Sequence, residues 1–203
     1  DKSNRLGLRL ADLVDKNVLS SKLEFLWKIR ERQIEQVFSG KLSIEFEDVL
    51  HTCHQHGLFL EKYFSFTNER INEVLQNGET VLLETSQATF LDNAFGTYPY
   101  TVAYQTLVQS CFPLIGIPAR EIDSLGVMKA YMIRVGNGPF PTEIHTELAD
   151  YIREAGNEYG TVSKRPRRCG WLDLNLIKHA TKLNGIKELA ITNVDVLGGL
   201  DSI

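Results

Sequence analysis

The sequence predicts an α/β fold, a mostly parallel central sheet flanked by helices with a helical insertion near the N-terminus. Three observations predict it. Helix-patterned blocks follow one another as far as Gln76; from Thr80 onward, short apolar runs of strand length alternate with helical segments; and polar, glycine-containing loops follow those runs. In such sheets ligands sit beyond the carboxyl ends of the strands, which is where these polar loops fall.

The elements follow in order. Residues 6–14, LGLRLADLV, form a short apolar-rich stretch. Ser20 or Ser21 is a candidate cap for a helix carrying Leu23, Leu26 and Trp27, then Ile34, Val37 and Phe38 three turns later on the same face; Arg30 interrupts that face and Gly40 ends it. A second helix spans about 43–63, with Phe46, Val49, Leu50, Cys53 and Leu60 on its apolar positions. A third spans about 67–76 and stops at Asn77-Gly78. The period then changes. Thr80 to Glu84 is a nearly continuous apolar run, which predicts a strand buried on both faces, and the loop TSQATFLDNAFGTYPY follows it. Gly126 to Val135 reads as one central strand and Gly136 to Thr142 as a turn-rich loop. Helices are predicted at about 146–155 and 172–183, the latter closed by Asn184-Gly185, and a last strand at 188–192 leads into Asn193-Val194-Asp195. No internal repeat or low-complexity tract interrupts the series.

With 203 residues the chain is long enough for one large domain or two small ones. Its 43% hydrophobic and 24% charged residues are those of a soluble globular protein, and no apolar run is long enough for a membrane helix. The formal net charge of -4 argues against broad nucleic-acid binding, which calls for a basic surface. Cys53, Cys111 and Cys169 are few and scattered, so the expectation is a reducing, cytoplasmic setting without a disulfide framework. The chain opens without Met and ends just past a strand-like run, which reads as a piece of something longer.

Against that acidic balance, TVSKRPRRCGWLD packs Lys164, Arg165, Arg167 and Arg168 around Pro166. Such a cluster is either a solvated loop or a local anion clamp. Arginine forks bind carboxylate and phosphate bidentately, so the anion could be a nucleic-acid backbone, a nucleotide phosphate or a substrate carboxylate. Asp195, just past a strand, is either a turn or cap residue or an acceptor for the two donors on the guanine edge. His51, Cys53, His54 and His56 suggest a metal, but the usual second ligand pair is missing nearby and surface helix histidines are the plainer reading. Neither a Ser-His-Asp nor a Cys-His arrangement can be argued, and there is no phosphate-cradling glycine loop.

Four segments, VLLETSQATFLDNAFGTYPY, MKAYMIRVGNGPFPTE, GNEYGTVSKRPRRCGWLD and ITNVDVL, resemble the adenylosuccinate synthetase family in order and spacing, and the opening DKSNRLGLRLADL resembles a further family segment. The resemblance implies a central portion of one such domain over 1–203, with a helical subregion at about 20–77 and a sheet-building region at about 78–203. It implies a ligase that joins IMP to L-aspartate with GTP as co-substrate and Mg²⁺ as cofactor. GTP phosphorylates the 6-oxygen of IMP, and the aspartate amine then displaces the phosphate.

The resemblance further implies roles residue by residue. Arg5 matches an arginine that reaches the partner's IMP across a homodimer. Gln87 matches an IMP-contacting glutamine, and the IMP-binding threonine falls on Val102, with Thr101 beside it. Thr161, Val162, Ser163, Lys164, Arg165, Pro166 and Arg167 match the aspartate-binding loop, Arg165 being shared with IMP and Arg167 with GTP. Asn193, Val194 and Asp195 match the guanine-reading segment. The family's catalytic Asp and His, its phosphate loop and its metal ligands match nothing here, so these residues alone are expected to be inactive.

The sequence departs from the family pattern at Thr85, Ala88, Val102, Lys164 and Asn193, where the family has Gly, Gly, Thr, Gly and Lys. Two alternatives follow: a same-fold ligase acting on another purine nucleotide such as dGMP, or a non-catalytic homologue or dimerisation fragment. Partners are expected to be these small molecules and a second copy, with neither nucleic acid nor membrane.

Overall fold

A computed structural model describes residues 3–200; Asp1, Lys2 and the last three residues, Asp201 to Ile203, lie outside the description, and with them part of the opening segment and the chain end noted above. The chain divides into two compact units, Asp1–Phe66 and Thr67–Ile203.

The first unit is a helical pair. Helix α1, Lys16–Gln36, starts earlier than expected from Ser20 or Ser21. The Asp15 carboxylate accepts from the backbone N–H groups of Asn17 and Val18 and so caps the helix one turn ahead of the serines, which fall inside it. The helix buries Leu19 and Leu23. It ends before Val37 and Phe38, which are 68% exposed and so leave the predicted apolar face. Helix α2, Phe46–Leu60, is shorter than the predicted block and passes into a 3-10 turn at Glu61–Tyr63. Leu19, Leu23 and Leu50 form the core, with Leu8, Leu13, Phe46, Val49 and Cys53 packed on it, and Trp27 meets Phe46 edge to face at 5.5 Å. Gly57 permits this closeness: a Cβ there would lie 2.5 Å from the Leu13 carbonyl oxygen.

The second unit opens with α3, Thr67–Gln76, where the sequence placed it, closed at Gly78 with φ 76°. The predicted strand at 80–84 does not form. Leu82 is 92% exposed, and no strand partners the segment among the described residues, so its backbone has no ladder to join. The single strand expected at 126–135 is broken at Ala130-Tyr131 into β1, Leu125–Lys129, and β2, Met132–Arg134. These belong to different sheets. Strand β1 pairs in parallel with β4, Glu188–Thr192, in the register Leu125↔Glu188 through Lys129↔Thr192. Strand β2 pairs antiparallel with β3, Arg168–Gly170, a strand within the segment expected to be a basic loop. The sheet is thus a parallel pair and an antiparallel pair among the described residues, within an α/β unit whose helices flank them.

A short helix, α4, spans Cys111–Ile115, and two longer helices complete the unit. Helix α5, Glu147–Ala155, buries Ala149 and Ile152. Helix α6, Leu174–Asn184, is capped by Asp173 and closed by Gly185 at φ 66°, as Asn184-Gly185 predicted. The core gathers Tyr131, Ala149, Ile152, Cys169, Val196 and Leu197, and therefore lies under β2, β3 and α5 rather than between β1 and β4.

Candidate functional site

The site is built around a carboxylate that the sequence reading did not single out. Glu158 is fully buried. Its Oε1 accepts from the Lys129 ammonium and the Tyr131 hydroxyl, and its Oε2 accepts from Arg167 Nη1 at 2.7 Å. Burial pushes this carboxyl up, but the hydrogen bonds from Lys129, Tyr131 and Arg167 outweigh it and hold the group below the ordinary glutamate range. Burial, and then the adjoining Glu158 carboxylate, push the Tyr131 hydroxyl far up, so it stays a donor. Two cations share one anion here. Lys129 ends β1, opposite Thr192, and Asn193 and Asp195 follow directly from β4. Asp195 is exposed, yet near enough to Tyr131 to bias its titration.

The anion loop is a hairpin. Tyr159 and Pro166 form an antiparallel bridge, Gly160 N–H donates to the Arg165 carbonyl and Lys164 N–H to the Gly160 carbonyl, both at 2.9 Å. Thr161 to Pro166 are exposed at its tip, with Val162 95% exposed. Arg165 extends from this tip and its backbone N–H donates to Ser163 Oγ. Arg167 sits at the base, gripped on three sides: its N–H donates to the Glu158 carbonyl, its carbonyl accepts from Arg153 Nε, and its guanidinium meets Glu158. Arg167 Nε is buried and meets no acceptor among the described residues. Arg168 turns away from the loop. It forms a two-pronged pair with Glu143, donates to the Gly136 and Gly138 carbonyls, and stacks its guanidinium on Phe140. Of the four clustered cations, Arg168 is therefore structural. Gly170 lets the strand pass Phe140, whose ring would lie 2.6 Å from an added Cβ.

The Gln87 segment is held separately. Asp92, fully buried, accepts from the N–H groups of Ala94 and Phe95 on one oxygen and of Thr106 on the other. Burial pushes its carboxyl up, and these backbone bonds outweigh the push and lower it. Thr106 Oγ1 donates to the Ala88 carbonyl, and Asn184 of α6 donates to Thr89 Oγ1, so the turn following Gln87 is pinned to α6. Val102 N–H donates to the Leu91 carbonyl, bringing Thr101 and Val102 back alongside that turn, while Arg134 of β2 donates to Thr97 Oγ1 and the Tyr100 carbonyl. Gln87 itself is exposed, and no direct bond joins it to Arg165 or Arg167 among the described residues.

Backbone conformation marks the same positions. Among the described residues six other than glycine have positive φ, and four of them, Arg5 (58°), Gln87 (72°), Lys164 (54°) and Asn193 (56°), are candidate ligand residues. Side chains other than Asn resist this region, and such strain gathers where a site over-determines the chain. Arg5 belongs to the helical unit and lines a groove with Leu6, Ser21, Lys22 and Phe25. In that unit His54 Nδ1 bonds the Leu13 carbonyl at 3.0 Å. No group of three or more His, Cys, Asp or Glu residues able to hold a metal occurs among the described residues. No described helix is long and apolar enough to cross a membrane.

The family model described as adenylosuccinate synthetase matches residues 1–203. The chain belongs to the adenylosuccinate synthetase family. Adenylosuccinate synthetase 1 of Photorhabdus laumondii is 72% identical over the whole of this chain, which covers 48% of that protein. The adenylosuccinate synthetase of Acetivibrio thermocellus is 43% identical, again over the whole chain and 48% of the relative. The chain spans about half the length of the curated relatives it matches. The fully ligated adenylosuccinate synthetase of Plasmodium falciparum superposes with a TM-score of 0.88 at 34% identity, over 98% of this chain and 46% of that one. A more distant likeness, TM-score 0.51 at 26% identity over 61% of this chain and 38% of that one, is to cyanophage S-2L succinoaminodeoxyadenylate synthetase bound to dGMP and dATP. This chain's sheets, hairpin and Glu158 hub are thus those of an adenylosuccinate synthetase-family member.

Proposed function

We propose that this chain supplies the substrate-anion and guanine-facing parts of a ligase that joins IMP to L-aspartate with GTP, as part of one domain in a cytoplasmic, homodimeric enzyme of purine biosynthesis. The observation that carries this reading is the hairpin at the carboxyl ends of β1 and β4. It offers Arg165 at an exposed tip and Arg167 at a fixed base, beside the strand end that leads to Asp195.

Two guanidinium groups at different depths suit the two carboxylates of aspartate next to a nucleotide phosphate. Holding an acidic amino acid against a phosphorylated purine is mainly a problem of charge and placement. In this reading Thr161 to Arg167 bind aspartate, Arg165 also reaches IMP and Arg167 also reaches GTP. Gln87 and the Thr101–Val102 turn bind IMP, Asn193 to Asp195 read guanine, and Arg5 serves the partner's IMP. Mg²⁺, which the family uses with GTP, finds no ligand cluster among the described residues, so no residue here is assigned to it. The test is a coupled assay on the full-length protein. Turnover that requires IMP, aspartate and GTP together, and that falls by at least about a hundredfold in R165L, is expected from the loss of one charge-assisted contact. Turnover without aspartate would refute the reading.

A second reading is favoured by one observation. The distant likeness to the dGMP-bound cyanophage enzyme coincides with Ala88, Val102 and Asn193 at candidate nucleotide positions. Isothermal titration against IMP and dGMP separates the two, and tight IMP binding with no dGMP binding ends the second.

A further inference from the structure

We propose that Glu158 is a positioning residue of the ligase site: it fixes Arg167 in the posture that receives the aspartate carboxylate. The inference rests on the reading of Arg167 as an aspartate-loop arginine given above.

A free arginine side chain carries rotamer entropy that a ligand must overcome when it orders the group. In this chain the ordering precedes the ligand. Arg167 Nη1 is committed to Glu158 Oε2 at 2.7 Å, Nε is buried, and the side chain is 23% exposed. Nε and Nη2 both remain without an acceptor among the described residues, Nε being the buried one. Glu158 is itself immobilised. Its other oxygen is occupied by Lys129 and Tyr131, its N–H donates to the Arg153 carbonyl, and its own carbonyl holds the Arg167 N–H.

The charges matter as much as the geometry. Lys129 and Arg167 are 27% and 23% exposed and share the single carboxylate of Glu158, which is wholly buried. Within this trio one positive charge is left over, and an arriving anion would balance it. Glu158 keeps that excess to one charge, enough to attract a carboxylate while the two cations are prevented from repelling each other apart.

The experiment uses the full-length protein and two readouts. In steady-state kinetics, E158Q is expected to raise the KM for aspartate about tenfold, the cost of ordering one or two side chains at binding. The KM for IMP is expected to stay within about twofold, since Arg167 is not assigned to IMP. In an R167Q background E158Q should change neither value further, because a residue acting through Arg167 has nothing left to act on. The second readout is independent of turnover. The Arg167 Nε–H resonance, assigned by its loss in R167Q, should exchange slowly with water in the wild type and rapidly in E158Q.

Losses that multiply in the double variant would overturn the proposal. So would an unchanged aspartate KM in an E158Q protein whose Arg167 resonance has lost protection. Should E158Q not fold, K129Q/E158Q removes one cation with the anion and carries the same two readouts. A wild type that turns nothing over would count against the functional reading, while the resonance would still decide whether Glu158 fixes Arg167.

Discussion

The two strand pairs end in opposite physical states. In the antiparallel pair β2/β3, Cys169 is 1% exposed, and Tyr131, Ile152 and Val196 close over it in one core. Its rim is tied by Glu143–Arg168 and by the Glu158 hub. In the parallel pair β1/β4, Leu125, Val127 and Ile191 are 61%, 72% and 55% exposed, although their side chains are as apolar. An antiparallel pair can be covered by the elements adjoining it in sequence, here α5 and the hairpin. A parallel pair needs layers on both faces, and its apolar run is no guarantee that they are present within the same 203 residues. Lys129 of β1, Tyr131 beside β2 and Arg167 beside β3 converge on Glu158, so the candidate site joins the two pairs. The well-packed pair thereby lends rigidity to a site at the end of the open one.

Acid is the strongest way to probe that contrast. Glu158, Asp92 and Glu143 all titrate below their ordinary range: in Glu158 and Asp92 hydrogen bonds outweigh burial, and in Glu143 the Arg168 bond leads. A carboxyl with a depressed folded pKa contributes stability above its unfolded value, near pH 4, and loses it as pH falls through the folded value. None of the three lies in β1 or β4. Tertiary near-UV dichroism, with Trp171 next to β3, should therefore hold steady down to about pH 4 and collapse below it. A loss of signal already at pH 6 would contradict this assignment.

Core truncation separates the pairs next. Ile152→Ala removes a side chain with 0% exposure and should cost about 2–5 kcal/mol in urea unfolding. Ile191→Ala, at 55% exposure, should cost under about 1 kcal/mol. Equal costs would mean that β1/β4 is as closely packed as β2/β3. Glu143→Gln comes third. Arg168 would keep its two carbonyl acceptors but lose its carboxylate, for a loss of about 1–3 kcal/mol measured the same way. The smallest effect expected is a gain. Lys164 sits at φ 54° with no side-chain hydrogen bond or ion pair among the described residues, and Lys164→Gly should stabilise the hairpin by about 0.5–1 kcal/mol, seen as a modest rise in Tm. A fall in Tm would show that the lysine makes a contact worth more than its strain.

Part of the candidate site's outline is legible in the sequence. The basic cluster stood out because it was local in an acidic chain, and Asp195 because it followed a strand. Glu158 did not stand out: an acidic residue in GNEYG looks solvated until Lys129 and Tyr131, some thirty positions earlier, fold onto it. Arg168 was indistinguishable from Arg167 by composition, and only pairing with Glu143 separated their roles. The ladder at 80–84 was overestimated because apolar content signals the tendency to be a strand and says nothing about a partner.

By itself the sequence determined what depends on neighbours a few residues away. These are the existence of α1, α2 and α6, the stop at Gly78, the Gly185 closure of α6, and the concentration of cations at 164–168. Tertiary structure alone decided which strands pair, where the 126–135 run breaks, and which cation is held by which carboxylate. Local signals are set by steric and hydrogen-bonding rules within one turn or strand. Pairing and charge partnership are set by which distant groups become close enough to exclude water, and that distance is fixed only when the chain has folded.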